Sequence, residues 1–277
     1  MKVSIKLGIA LAVVCSVFAL SSVSAEAACT NITSSSIPKT ITASGCYKLS
    51  EDVTKPISSG YAINITASNV QLDLGGYSIT NSDNANSDGV FGINVGAVSN
   101  VTIKNGSIVN FHGGIQLEYP DDQRSAIIVD NITVDFKTAG RNGGDFWGKN
   151  VTVSNCRVYG NPSVTNNSGF TGTGPNVRFI NNVITDINEG NSFDVGGVGL
   201  VLDNNMIQNS TLLSGAGIHL GNDLGNGVVL TRNTIINKEI GILGEGTLSG
   251  IYRDNITTGC TTSYDMPSSM VNAGNNQ

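Results

Sequence analysis

The chain has 277 residues, of which 13% are charged and 39% hydrophobic, and its formal net charge is −6. A chain so acidic and so sparsely charged excludes nucleic acid and an anionic membrane surface as its main partners, and it disfavours a polyanionic glycan unless a cation intervenes. Gly at 34 positions against six Pro fits many tight turns without disordered linkers.

The first residues read as a targeting segment. Lys2 and Lys6 open it, an apolar run covers residues 7–20, and small residues follow at Val23-Ser24-Ala25 and Ala25-Glu26-Ala27. This is a signal peptide, residues 1–25, with cleavage after Ala25 or Ala27, and it predicts an exported protein, periplasmic or extracellular. Glu26, three places before Cys29, is wrong for lipidation. No later run is apolar and long enough to span a bilayer. Removing Lys2 and Lys6 takes the net charge from −6 to −8.

Residues 26–68 read as an N-terminal cap and first coil, needed to cover the outermost hydrophobic layer of a repetitive fold. Of the four cysteines beyond the leader, Cys29 and Cys46 are close in sequence and precede the repeats. A disulfide between them is expected in an exported chain. Cys156 and Cys260 lie four copies apart, roughly 19 Å at about 4.8 Å per coil, and are expected to remain thiols.

From residue 69 to 259 one pattern recurs. SNVQLDLGGYSI at 68–79 is succeeded by SNVTIKNGSI, DNITVDF, KNVTVSNCRV, PNVRFINNVI, VGLVLDNNMI, NGVVLTRNTI and SGIYRDNI. The copies are anchored at 69, 100, 131, 150, 176, 199, 227 and 250, with spacings of 31, 31, 19, 26, 23, 28 and 23 residues. Within each, apolar and polar residues alternate, as Val101 and Ile103 do with Thr102 and Lys104, so two side chains face in and two out. An Asn comes next at the turn: Asn105, Asn155, Asn181, Asn204 and Asn255, with Arg232 as an exception. Asn tolerates left-handed backbone and can bond the copies on either side, so this column predicts a structural ladder. A shorter strand, often opened by Gly, precedes most copies: GINV at 92–95, GIQL at 114–117, FDV at 193–195, GIHL at 217–220 and GIL at 241–243. Residues 260–277 read as a C-terminal tail. Short strands, tight turns and a period of 20–30 residues give an all-β right-handed parallel β-helix of about eight to nine coils.

The ASNVQLDLGGYSI and SNVTIKNGSI blocks, the GI-x-V/L strands and the asparagine turns resemble those of the pectate-lyase-like superfamily, particularly small exported bacterial members, over residues 40–257. The resemblance implies the fold. It implies activity only broadly, because relatives include lyases, glycosidases, epimerases and binding proteins. The NTD, GHG and RIK blocks of polygalacturonase-like hydrolases are missing beside Asp121-Asp122 and GIHLG. The DPHD block of alginate epimerases is absent too, and no clear pectate-lyase pattern of basic residues and calcium aspartates stands out.

Three constellations carry candidate chemistry. Outward residues of the short strands stack into a row about 4.8 Å per step, running Asn94, Gln116, a position near Asp145–Trp147, Thr171 or Thr173, Asp194, His219 and Leu243. Asp194 and His219 are neighbours in it and form an acid–base candidate. Residues 111–149 gather Glu118, Asp121 and Asp122, a candidate Ca²⁺ set, with Lys137, Arg141 and Lys149 as candidate catalytic cations. There Phe146 and Trp147 are candidates to stack on a sugar, with Asp145 and Gln116 as further binding residues. Asp186, Glu189 and Asp194 form a third group, a possible glycosidase carboxylate set. A Thr array for ice is broken by Arg178. The expected function is an exported polysaccharide-active lyase or glycoside hydrolase. The alternative is a non-catalytic β-helix that binds glycan or builds an envelope structure.

Overall fold

The computed structural model describes residues 28–83, 89–117, 125–136, 142–165, 167–221 and 225–277. Its strands pair in parallel throughout and wind into a single β-solenoid with three faces. On the first face, Gly60–Ile65, Val90–Val95, Gly113–Leu117, Asn142–Asp145, Ser168–Thr173 and Phe193–Gly196 stack in that order. The ends of Met206–Leu220 and Thr234–Gly244, then Thr262–Asp265, continue the stack. The second face carries the repeat strands, from Gly45–Leu49 through Val70–Asp73 to Met270–Asn272. The third runs from Val53–Lys55 to Ile256–Thr258. A right-handed crossover is the sense that parallel connections take.

Period two explains the core. In Ser99–Val109, Val101 and Ile103 are buried at 1% and 0% exposure while Thr102 and Lys104 are not. The same alternation in each coil fills the interior with stacked Ile, Val, Leu and Phe. Phe170 and Phe179 stack at 5.9 Å, and both pack on Phe146 and Phe193 at 5.3–6.0 Å, so a phenylalanine column lies behind the middle of the first face.

The second-face register corrects the repeat alignment. Gln71, Thr102, Ile128, Thr152, Arg178, Val201, Val229 and Ile251 are successive partners. The third copy is therefore SAIIVDN rather than DNITVDF. Val134 and its neighbours belong to the third face, opposite Ile108 and Val158. The uneven 31 and 19 become 26 and 24 between the equivalent residues 102, 128 and 152. Segment 125–135 alternates along its whole length, and its first half is the one in register. The expected tail also joins the solenoid, because Thr262–Asp265 and Met270–Asn272 each pair with the coil before them.

Two asparagine columns, not one, occupy the corner between the second and third faces. The outer holds left-handed Asn105, Asn131, Asn155, Asn181, Asn204, Arg232 and Asp254, φ 53–59°. Asn255 is not in it. Asn255 belongs one residue further on, in an inner column of Asn182, Asn205, Asn233, Asn255 and Asn276. From Asn205 on, each inner amide oxygen accepts from the backbone N–H and the side-chain N–H of the preceding rung, at 2.9–3.1 Å. Each Nδ2 also donates to a backbone carbonyl one coil back, as Asn205 does to Phe179 at 2.9 Å. Cys156 opens this column, its N–H donating to Asn182. Burial pushes its thiol up to about 12, so it is inert. Cys260 is also unbridged and half-buried. The disulfide joins Cys29 to Cys46 as expected, with Cα atoms 4.5 Å apart.

The two columns should differ sharply in energetic weight. Asn205→Ala leaves buried backbone and amide groups of rungs 182 and 233 unpaired and should cost about 2–4 kcal/mol in urea unfolding. Asn204→Gly, which keeps the left-handed turn unstrained and removes only an exposed bond, should stay within about 1 kcal/mol of the parent.

Candidate functional site

The outward row of the first face is fixed by its pairings: Asn94, Gln116, Asp145, Thr171, Asp194, His219, Leu243, Asp265. Asp145 takes the position left open between Asp145 and Trp147, and Thr171 rather than Thr173 comes after it. Asp194 and His219 are adjacent rungs, and His219 Nδ1 lies 2.8 Å from Asp194 Oδ1. The other ring nitrogen, Nε2, is 3.5 Å from Glu245 Oε2, an ion-pair distance that is long for a hydrogen bond. The imidazole therefore sits between two carboxylates. The Asp194 hydrogen bond, with the charges of Asp194 and Glu245, raises the histidine's pKa against the opposing effect of burial. The same bond holds the Asp194 carboxyl below its usual range.

Asp145 behaves differently. Its Oδ1 accepts hydrogen bonds from Thr171 Oγ1 and from Asn142 Nδ2, yet burial outweighs them and raises its pKa. Two carboxylates in one row, with Thr171 between them, are thus pushed in opposite directions. Two coils at about 4.8 Å each put them about 9–10 Å apart along the axis.

Beside this row runs a second one, two residues further along each strand: Trp147, Thr173, Gly196, Gly221 and Glu245. Thr173 pairs with Gly196, and the ladder bonds of Phe146, Gly221 and Glu245 carry the register onward. Trp147 is half-buried at one end. Beyond it, Gly196 and Gly221 present no side chains, and the result is an open hollow of about 290 Å³ floored by glycine and bordered by Asp194, Thr171 and Thr173. A flat aromatic ring at the end of a glycine floor, next to a polar row, is a surface on which a pyranose can lie.

Several expected residues fall elsewhere. Phe146 does not face a ligand: it is 1% exposed and packs in the phenylalanine column. Strand alternation requires this, since Asp145 and Trp147 both point out. Lys149 is exposed at the start of Lys149–Ser154 on the second face, paired with Ser125, and is not part of the Asp194–His219 group. Asp186 and Glu189 are left-handed turn residues, and Asp186 accepts from the Ser210 N–H, a structural bond. Glu118, Asp121, Asp122, Lys137 and Arg141 lie outside the described residues. Among the described residues no group of three His, Cys, Asp or Glu is placed to hold a metal ion. Sequence reasoning misses the charged site residue Glu245 and the glycine floor of Gly196 and Gly221. The signal for Glu245 is the GILGE run, where two steps beyond Leu243 restores an outward position.

No protein-family model matches the chain, and no characterised protein matches it by sequence. Solved structures do match in shape. Pectate lyase Pel9A shares 15% identity and a TM-score of 0.50 over 83% of this chain and 70% of that one. Endopolygalacturonase I from Stereum purpureum shares 14% identity over 89% and 95%, with a TM-score of 0.48. The catalytic domain of a GH87 alpha-1,3-glucanase in complex with nigerose shares 12% over 90% and 64%, with a TM-score of 0.42. The chain is an all-β parallel β-helix protein, and it shares that fold with pectate lyase Pel9A. No helix among the described residues is long and apolar enough to cross a membrane.

The hollow can be tested apart from any chemistry. A Cβ built on Gly221 meets nothing within 4 Å, so Gly221→Leu should leave the melting temperature unchanged while filling the floor. Trp147 is the only tryptophan beside seven tyrosines, so fluorescence excited selectively in tryptophan reports this place alone. Oligosaccharide quenching seen with the parent should be lost in Gly221→Leu.

Proposed function

We propose that this chain is an exported polysaccharide hydrolase that acts on an uncharged glycan lying along the first face. The observation that carries the reading is the pair Asp145 and Asp194, two carboxyls of one row with pKa values displaced in opposite directions beside the Trp147 hollow. Asp145, whose hold on its proton is strengthened by burial, is placed to give that proton to the departing glycosidic oxygen. Asp194, kept ionised by His219, is placed to take one from the attacking water. A spacing near 9–10 Å along the axis suits the wider, inverting arrangement that leaves room for that water.

Charge favours hydrolysis of an uncharged glycan over elimination on a uronate. The acidic residues of the two rows, among those described, are Asp145, Asp194, Glu245 and Asp265, and His219 is the one basic side chain there. A uronate brought to about 5 Å from one such carboxylate is opposed by about 1 kcal/mol even with water-like screening. β-Elimination also needs a base and a cation for the carboxylate. Lys137 and Arg141, candidates for those tasks, are outside the described residues. Export is supported by the leader-like first 25 residues and by the Cys29–Cys46 disulfide, a bond that persists in oxidising compartments. A second reading, glycan binding without turnover, is favoured by one observation: Asp145 Oδ1 already accepts two hydrogen bonds from the protein.

Incubation of the mature protein with neutral and with uronate polysaccharides, with and without Ca²⁺, separates these readings. Hydrolysis gives new reducing ends from the neutral polymers and no absorbance near 235 nm, whereas elimination gives the absorbance. Fluorescence quenching without either product selects the binding reading. Where reducing ends form, Asp194→Asn and Asp145→Asn should each lower kcat by roughly 10²–10⁴-fold. The pH profile should be bell-shaped. Its acid limb, from ionising Asp194, falls below the ordinary 3.8, and its alkaline limb, from deprotonating Asp145, lies above 3.8. Activity that rises steadily through neutral pH would remove Asp145 from the role of acid.

A further inference from the structure

Behind the candidate site lies a lysine that no surface role explains. Lys238, in Thr234–Gly244, is fully buried at 0% exposure, at the corner where the chain passes from the third face to the first. Its Nζ donates to three backbone carbonyls: Ile187 at 3.0 Å, Gly190 at 2.7 Å and Ser214 at 2.6 Å. An ammonium has three donors, and each finds an acceptor. The three acceptors belong to two different coils. Ile187 and Gly190 lie on the segment that enters the strand bearing Asp194, four residues beyond Gly190. Ser214 lies on the segment that enters the rung of His219, five residues on.

Both segments turn through left-handed backbone here, at Glu189 (φ 59°) and Gly215 (φ 84°). Such turns take their carbonyls out of the strand ladder, and the ammonium supplies them with a donor from inside, most needed at buried Ile187 and less at half-buried Gly190 and exposed Ser214. The packing leaves no slack. A Cβ on Gly190 would stand 1.8 Å from Asn167 O, and one on Gly215 would stand 2.5 Å from Gly190 O and 3.4 Å from Lys238 Nζ. A buried ammonium is costly unless its hydrogen bonds are complete. Here they are complete because the two segments are held in one relative placement.

We infer that Lys238 is the positioning residue of the Asp194–His219 pair, a tether that sets the offset between their two rungs by holding the two preceding segments to one ammonium. Its importance for turnover rests on the function proposed above, but the geometric claim does not. The 2.8 Å contact between His219 and Asp194 is side chain to side chain across two paired rungs, so it depends on how the segments entering those rungs are placed. Burial lowers the ammonium's pKa to about 8, with the nearby Glu239 carboxylate and Cys260 opposing, so the three-donor form prevails at neutral pH.

The test is an NMR titration of the imidazoles in the full mature chain, where His112 and His219 are the only two histidines. The variants are Lys238→Met, which keeps the length without donors, and Lys238→Gln, which keeps donors without charge. Leu49→Ala, in the N-terminal coils, supplies a general loss of stability far from the corner. In Lys238→Met the His219 midpoint should drop toward the ordinary imidazole value while that of His112 stays. Lys238→Gln should fall between, and Leu49→Ala should shift neither. On a hydrolysed substrate, Lys238→Met should lower kcat by roughly 10²-fold with KM unchanged. If Lys238→Met does not fold, the Lys238→Gln titration decides. An unmoved His219 midpoint, or an equal shift in Leu49→Ala, overturns the inference. A shifted midpoint in a protein that turns over no glycan upholds the tether and overturns the hydrolase reading instead.

Discussion

The rest of this structure depends on a single constraint: every coil must present its polar backbone to the coil on either side at one fixed rise. Sheet bonds meet that demand on the three faces, but the corners need other partners. At the corner between the second and third faces the inner asparagines supply them, each accepting from the rung before it and donating to a carbonyl one coil back. At the corner before the first face, Lys238 does the same for three carbonyls at once. The rise is thus enforced from two edges of the section, and the side chains on the first face inherit a spacing they do not have to create.

That inherited spacing is what makes an acid–base arrangement available. Asp145, Thr171, Asp194 and His219 are separated by 23–26 residues in sequence but by single coils in space. The protein needs no converging loops to bring two carboxyls and an imidazole into line. What distinguishes them is depth. Asp145 lies where burial dominates, whereas Asp194 is more open and is governed by its hydrogen bond to His219.

Much of the architecture is legible in period two and a recurring Asn. The GI-x strands set the phase of Asp194 and His219, and that pairing is the one observed. Sequence reasoning fails where the phase is ambiguous. Residues 125–135 alternate for eleven positions, and sequence cannot say which half lies on which face. In NGGDFW two glycines precede Asp145, so no apolar residue marks the inward side and Phe146 reads as a surface ring. The pairs Asn181-Asn182 and Asn204-Asn205 place one residue in each column. Where the outer member is Asp254, the neighbouring Asn255 reads as an outer residue although it stands in the inner column. Lys238 sits in a strand beside Glu239 and reads like any outward charge. Only the inward turn of the chain at 187–190 and 214 gives it partners, and that depends on coils 24 to 51 residues away.

The glycine floor has a consequence for how such a protein changes over time. Residues that hold the fold together point inward or stand at the corners, while those of the proposed glycan surface point outward from the same strands. At Gly221 an added Cβ meets no other atom within 4 Å. If a glycan is read on this face as proposed, its recognition is free to diverge position by position, because selection for stability and selection for recognition fall on alternate residues.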